Sequence, residues 1–142
     1  MDKPFLNQLI THLASTHGPV LTEHIGYPQC EQASITDREI YDRDVAWLRA
    51  SDIVVAECSS VSIGVGYELA YAEKLHKPIL VLYQWPRPDG KHLSAMIAGN
   101  THYARQEVHN YKDAVEAKSI MDAWIAKWRP ILAKEAAESN SK

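Results

Sequence analysis

The sequence predicts an α/β layered fold with a largely parallel sheet. Two apolar runs, residues 52–57 (DIVVAE) and 78–83 (PILVLY), are continuous rather than alternating, which is typical of strands buried on both faces. The segment between them, residues 66–77, has the composition of a helix. Buried strands that alternate with helices indicate a parallel sheet covered by helical layers.

The N-terminal segment predicts a helix followed by a strand. Asp2 and Pro4 are typical of a helix start, and Gly18 followed by Pro19 ends the helix, which covers residues 3–17. Its apolar face consists of four side chains at helical spacing: Leu6, Leu9, Ile10 and Leu13. Residues 19–23 (PVLTE) are predicted as a short strand and residues 25–35 as a loop.

A second helix begins at a capping-box pattern formed by Thr36 and Glu39. One face of this helix carries Asp44 together with apolar neighbours such as Trp47 and Leu48. Asp44 is therefore predicted to point inward, where a carboxylate must be paired or hydrogen-bonded. An ion pair with Arg43 or Arg49 is the structural alternative to a functional role.

The C-terminal half continues the same pattern. A turn-rich loop at 85–91 precedes a short helix at 93–99, a strand at 105–108 and a long helix at 112–129. Residues 1–134 are predicted to form a single domain, and residues 135–142 a disordered tail.

Composition excludes several classes of protein. The chain has 142 residues and a net charge of −3, which gives no basic surface for nucleic acid. No apolar stretch approaches the roughly 20 residues that span a membrane, and no secretory signal is visible, so a cytoplasmic protein, or a nuclear one in a eukaryote, is expected. Cys30 and Cys58 lack the spacing of metal ligands and are predicted to be reduced thiols. No metal and no cofactor are predicted.

The carboxyl ends of parallel strands are where ligands bind, which directs attention to the loop after residue 57. Gly64 and Gly66 allow close approach to the backbone, and the N–H groups that open the next helix can hold an anion. Ser62 adds a hydroxyl. The alternative is a tight turn that needs glycine only for its geometry.

Glu68 follows this loop, in the predicted first turn of the helix. It either complements the helix dipole or acts as a nucleophile or base beside a phosphate-bearing substrate. Asp44 and Glu68 together suit glycosidic chemistry, in which one carboxylate attacks the anomeric carbon and the other orients the sugar. His24, at the end of the first predicted strand, is a further polar candidate, with a purely structural histidine as the alternative.

Five blocks of sequence, in family order, resemble the 2′-deoxynucleoside 5′-phosphate N-hydrolases of the nucleoside 2-deoxyribosyltransferase superfamily. The blocks are VLTEH (20–24), DVAWLRASDIVVAE (44–57), SIGVGYELA (62–70), KPILVLY (77–83) and LSAMIAG (93–99). The resemblance implies a flavodoxin-like (Rossmann-like) three-layer sandwich. It also implies hydrolysis of the N-glycosidic bond of 2′-deoxynucleoside 5′-monophosphates, which gives free base and 2-deoxyribose 5-phosphate.

The resemblance also implies roles for individual residues. Glu68 matches the nucleophile that forms a covalent sugar intermediate, and Asp44 matches the aspartate that contacts the sugar and positions the nucleophile. Ser62 and Gly64 match the phosphate-binding loop. Ser94, beside Met96, matches a serine that reaches the phosphate in the partner subunit's site, so a homodimer with composite sites is implied.

The sequence departs from the family pattern at its start. The family begins with a strand and a glycine-rich loop, and this chain begins at the helix that follows them. The sheet is therefore expected to lack the family's first strand, with reduced stability and activity. Two alternatives stay open: a deoxyribosyltransferase that passes the sugar to another base, and a nucleotide-binding or dimeric interaction protein without turnover.

Overall fold

A computed structural model describes residues 3–20 and 35–141 of the chain. In chain order, these residues form α1 (Lys3–Thr16), α2 (Asp37–Ala50), β1 (Val54–Glu57), α3 (Ile63–Lys74), β2 (Ile79–Gln84), α4 (Ala95–Ala98), β3 (Gln106–Tyr111) and α5 (Ala114–Asn140). No helix in these ranges is both long enough and apolar enough to cross a membrane.

The three described strands form one parallel sheet in the order β1-β2-β3. Val54 lies opposite Ile79, which in turn lies opposite Gln106. The predicted α/β fold with a parallel sheet is confirmed. Within residues 3–20 and 35–141 no strand pairs with the outer edge of β1, so β1 and β3 are the two edge strands of the described sheet.

Helices cover both faces of the sheet and complete a three-layer arrangement. Because successive side chains of a strand point to opposite faces, Leu80 and Leu82 pack against α1 and α5, whereas Ile79 and Val81 pack against α3. All four are fully buried. Burial on both faces explains why this strand is continuously apolar in sequence.

The beginnings of α1 and α2 follow the prediction. Pro4 lies in the first turn of α1. The backbone N–H of Thr36 donates to Glu39 Oε2 at 2.9 Å, and the N–H of Glu39 donates to Thr36 Oγ1 at 3.2 Å, so the predicted capping box is present.

The beginning of α3 differs from the prediction. The helix begins at Ile63, three residues earlier than predicted, and ends at Lys74. Its cap is Ser62, whose Oγ accepts the backbone N–H of Val65 at 3.2 Å. The sequence pattern predicts loop conformation for the glycines at 64 and 66, but the cap places both in the first turns of the helix.

The C-terminal helix is longer than predicted. The sequence predicts a helix that ends near residue 129 and a disordered tail over 135–142, yet α5 continues to Asn140. Pro130 removes one helical N–H donor. Beyond Pro130, Leu132 packs against the core and Glu135 forms an ion pair with Arg105. These contacts stabilise the helix after the proline.

Two predictions fall wholly or partly outside the described residues. Pro19 and Val20 are not in a strand, and the rest of the predicted strand 19–23 is not described. Cys30 and most of the predicted loop 25–35 are also not described.

Cys58 is a free thiol. Burial, and then the charge of Glu57, raises the pKa of Cys58 to about 12, so this thiol stays protonated.

Candidate active site

The packing of α2 against α3 brings the two predicted catalytic carboxylates together. Both Asp44 and Glu68 are half-buried. Burial raises the pKa of Glu68, and the negative charge of Asp44 raises it further. One carboxylate shifts the pKa of another in this way only over a short distance. The two side chains therefore form one electrostatic unit on the face of the α2–α3 pair.

Asp44 is held by its neighbour in sequence. Arg43 Nε donates to Asp44 Oδ1 at 3.0 Å, and the guanidinium carbon of Arg43 lies 4.6 Å from the centre of the Trp47 ring. The predicted ion pair to Arg43 is thus present. Arg49 instead donates a hydrogen bond to Tyr71 Oη, at 2.6 Å. The Arg43 pair fixes the orientation of the Asp44 carboxylate, which is 25% exposed and so still open to solvent.

Glu68 lies in the second turn of α3, because the helix begins at Ile63 rather than at residue 66. The favourable effect of a helix dipole on a carboxylate is largely confined to the first turn and lowers the pKa. The pKa of Glu68 is raised. The dipole alternative for Glu68 therefore does not fit the structure.

The two glycines of α3 have no internal structural reason to be glycine. Neither has a positive φ. A methyl group added at Gly66 would meet nothing within 4 Å, and one added at Gly64 would meet only Ser62 Oγ, at 3.9 Å. The alternative of a tight turn that requires glycine is therefore wrong. Glycine within a helix costs about 0.5–1 kcal/mol relative to alanine, and its open side here permits close approach from outside.

The first turn of α3 contains no acidic side chain. The positive end of the helix dipole is therefore not neutralised by a side chain of that turn. Ser62 is exposed, and its hydroxyl is already engaged as an acceptor of the Val65 N–H. The same hydroxyl retains a proton to donate.

Ser94 and Met96 lie at the short helix α4. Ser94 precedes the helix but makes no side-chain capping hydrogen bond, and it is exposed. Met96 is 87% exposed. Leu93 and Ile97 pack into the same core cluster as Leu69 of α3, which places α4 on the same face of the sheet as the carboxylates.

Large apolar side chains are exposed around this face. Val61, Ile63 and Met96, which we call the apolar rim, are each at least 87% exposed. Tyr41 and Tyr67 add two half-exposed rings with centroids 6.3 Å apart.

A second polar group lies at the carboxyl edge of the sheet and was missed by sequence reasoning. The carboxylate of Glu57 accepts hydrogen bonds from Tyr111 Oη at 2.8 Å, from the Ser59 N–H at 3.1 Å and from the Ser59 hydroxyl. Burial, followed by the Glu57 charge, raises the pKa of Tyr111, so its hydroxyl stays protonated and donates. In the sequence, the only local indication of this group is that the apolar run 52–57 ends in a carboxylate residue, Glu57.

A cavity of about 430 Å³ lies beside this group. Arg87 lines it and is held by Asp89 through two hydrogen bonds of 2.9 and 2.6 Å. Phe5 and Tyr111 also line it and stack on each other, with ring centroids 5.6 Å apart. Neither Asp44 nor Glu68 lines this cavity.

Two further points concern the predicted site. His24 lies outside the described residues. Within residues 3–20 and 35–141, no cluster of metal-ligating side chains includes Asp44 or Glu68; one such cluster lies between α1 and α5.

Comparison with known proteins gives consistent matches. A family model described as nucleoside 2-deoxyribosyltransferase matches residues 3–116. A putative 2′-deoxynucleoside 5′-phosphate N-hydrolase 1 of Trichoplax adhaerens is 41% identical over 120 residues, which are 84% of this chain and 81% of that protein. A 5-hydroxymethyl-dUMP N-hydrolase of Mus musculus is 39% identical over 134 residues, 91% of this chain and 75% of that protein.

A solved structure shares the fold. It is a CMP N-glycosidase of Clostridium botulinum, with a TM-score of 0.65 and 17% sequence identity. The match covers 86% of this chain and 89% of that one. At this identity the likeness concerns the fold alone.

Proposed function

Because the chain belongs to the nucleoside 2-deoxyribosyltransferase family, we propose that it hydrolyses the N-glycosidic bond of 2′-deoxynucleoside 5′-monophosphates. The products are free base and 2-deoxyribose 5-phosphate. The names of its relatives support the enzyme class, N-glycosidase. The observation that carries the proposal is the half-buried Glu68, whose pKa is raised by burial and by Asp44 beside it.

In the proposed reaction, a Glu68 carboxylate oxygen bonds to C1′ as the bond from C1′ to the base nitrogen breaks. The departing base takes the electron pair and gains a proton from solvent, which is returned when water hydrolyses the sugar ester. Water then hydrolyses the sugar ester and regenerates Glu68. A 2-deoxy sugar readily forms an oxocarbenium-like centre, which an adjacent carboxylate stabilises. Asp44, oriented by Arg43, contacts the sugar and positions Glu68 against it.

The proposed phosphate site is the beginning of α3. Its unneutralised dipole and its first N–H groups favour an anion, and Gly64 and Gly66 leave room for the phosphate to approach the backbone. Ser62 donates its hydroxyl proton. His24 is proposed as a further substrate contact because it follows the predicted strand 19–23, and ligands bind beyond the carboxyl ends of parallel strands.

The proposed active unit is a homodimer. The exposed Ser94, without a capping bond of its own, would reach the phosphate in the partner subunit's site. Met96 and the rest of the apolar rim would be covered by the partner.

The decisive experiment is incubation with each deoxynucleoside monophosphate, including 5-hydroxymethyl-dUMP, scored for free base. We expect Glu68→Gln to lower the rate by several orders of magnitude with the fold and nucleotide binding retained, because a nucleophile has been removed. The exposed Glu138→Gln on α5 is the matched control and should keep the wild-type rate. If Glu68→Gln retained more than about a tenth of the rate, Glu68 could not be the nucleophile.

The same assay separates the alternatives. The family model carries the name of a transferase, so a free acceptor base is added in parallel. A new nucleotide in preference to free sugar phosphate would show that the chain is a deoxyribosyltransferase. Nucleotide binding without base release or transfer would show a binding protein without turnover.

A further inference from the structure

Three metal-ligating side chains converge between α1 and α5, away from the carboxylate pair. His12 Nε2 lies 2.7 Å and His17 Nε2 lies 2.6 Å from the same oxygen of Asp122, Oδ1. The candidate ligand atoms all lie within 4.8 Å of one another. The two imidazoles meet edge to face, with ring centroids 6.1 Å apart. Both histidines are largely buried, at 21% and 16% exposure.

The residues of this cluster lie on or next to helices that pack against each other. His17 directly follows α1, and its N–H donates to Leu13 O at 2.9 Å. Gly18, at φ +126°, then turns the chain away, a conformation that favours glycine. Asp122 lies on α5 beside Met121, which is fully buried in the core. The three groups are thus presented by two packed helices, although 110 residues separate His12 from Asp122.

We propose that His12, His17 and Asp122 form a binding site for a divalent late-transition cation of the Zn²⁺ class, which clamps α1 to α5. Two imidazoles and one carboxylate are ligands that Zn²⁺ accepts, with water in the fourth position. Around such an ion, ligand atoms lie about 3.3 Å apart for bonds of about 2.0 Å. The two Nε2–Oδ1 distances of 2.7 and 2.6 Å would each have to lengthen by roughly 0.6–0.7 Å to reach this spacing, a change that side-chain rotation can supply.

Two cations near the cluster limit its affinity. Lys118 and His12 line the same cavity of about 420 Å³, and Arg129 donates to the carbonyl of His17 at 2.9 Å. Their positive charge opposes a divalent ion, so the site is expected to be weaker than a dedicated three-ligand zinc site. Local sequence patterns do not indicate this cluster, because 110 and 105 residues separate His12 and His17 from Asp122.

The test titrates the full chain, purified with chelator and then freed of it, with Zn²⁺ by calorimetry and with Co²⁺ by absorption spectroscopy. The variants are His12→Gln, His17→Gln and Asp122→Asn, and the control is His102→Gln, an exposed histidine elsewhere. We expect one ion per wild-type and control chain. Affinity should be at least tenfold weaker in each site variant, since even loss of groups behind the ligands costs about 10–100-fold.

Two further readouts distinguish this site from metal binding elsewhere on the chain. Co²⁺ held by nitrogen and oxygen gives no sulfur charge-transfer band, so a band that persists in the variants would assign binding to cysteine and overturn the proposal. Zn²⁺ should raise the thermal midpoint of the wild type but not of Asp122→Asn, which preserves the side-chain shape. Absence of one-to-one binding, or variant affinities within threefold of wild type, would also overturn it.

Discussion

Glu68 has a consequence for stability as well as for chemistry. A carboxyl group whose pKa is raised in the folded chain stabilises the fold while it is protonated, and that contribution is lost as pH rises through the folded pKa. Burial and then Asp44 cause such a rise at Glu68. The ionised form of the side chain therefore destabilises the native state relative to the protonated form.

Glu68→Gln should accordingly raise the free energy of unfolding at pH 7, because glutamine stays neutral. The gain should disappear near pH 4, below the ordinary pKa of glutamate, where wild-type Glu68 is largely protonated in both states. Urea denaturation at the two pH values measures the difference, with Glu138→Gln as the control. A gain of equal size at both pH values would show that the raised pKa is not its cause.

The sequence predicts the environment of some candidate residues but not of others. Asp44 could be predicted to point inward because it shares a helical face with Trp47 and Leu48, and its half-buried position agrees. The interaction of Glu57 with Tyr111 could not be predicted, because the two are 54 residues apart and meet only when β1 and β3 flank β2. Local periodicity indicates the face on which a side chain lies but not its distant partners.

At the scale of elements, the beginning of α3 shows how a cap overrides composition. Two glycines within three residues are typical of a loop, and this composition predicts a helix start at residue 66. The hydroxyl of Ser62 caps the helix earlier. The glycines then have a cost within the helix and no packing benefit there.

Gly66→Ala should stabilise the chain by about 0.5–1 kcal/mol, because alanine is the better helix former and its methyl group meets no atom within 4 Å. Under the proposed function, it should also weaken binding of a deoxynucleoside monophosphate, because the methyl group occupies the path of the phosphate. The reverse change on the same helix, Ala70→Gly at an exposed position, should destabilise by a similar amount and leave binding unchanged. Denaturation and calorimetric titration measure both effects. Unaltered nucleotide affinity in Gly66→Ala would contradict the phosphate site.

The length of α5 depends on a contact that no local pattern contains. Arg105 pairs with Glu135 across 30 residues, and Leu132 reaches the core beyond the proline. Residues 133–142 are polar and rich in alanine, a composition that by itself is typical of a frayed tail. The helix continues because its neighbours hold it.

At the scale of the whole molecule, a shared active site makes a quantitative prediction. Chains with Glu68→Gln and chains with Ser94→Ala, each inactive alone, should recover activity when mixed. In a composite dimer, one of the two sites in each mixed dimer has both residues intact. Half of the dimers are mixed after random exchange, so about a quarter of wild-type activity is expected.

The measurement is base release after unfolding and refolding the two variants together, with mixed dimers verified by distinguishable tags. Each variant refolded by itself provides the baseline. No recovery in verified mixed dimers would place Ser94 in the site of its own chain or outside the site altogether.

The layered architecture was predictable from the sequence because the runs 52–57 and 78–83 are continuously apolar and alternate with helical segments. The number and order of the strands were less predictable from the sequence. Only three strands lie in the described sheet, and the predicted strand 19–23 is not among the described elements. Buried apolar runs predict that strands exist, whereas their number and neighbours depend on pairing between distant segments.

No strand within residues 3–20 and 35–141 pairs with the outer edge of β1, and this edge should give an alternating pattern of amide hydrogen exchange along the strand. The N–H groups of Val54 and Cys58 donate toward β2, at 2.9 and 2.8 Å. Strand geometry turns the N–H groups of Val55 and Glu57 the other way. In deuterated water, amides should therefore exchange slowly and quickly in alternation along β1, as measured by NMR. Uniformly slow exchange would reveal that another segment or another chain already occupies that edge.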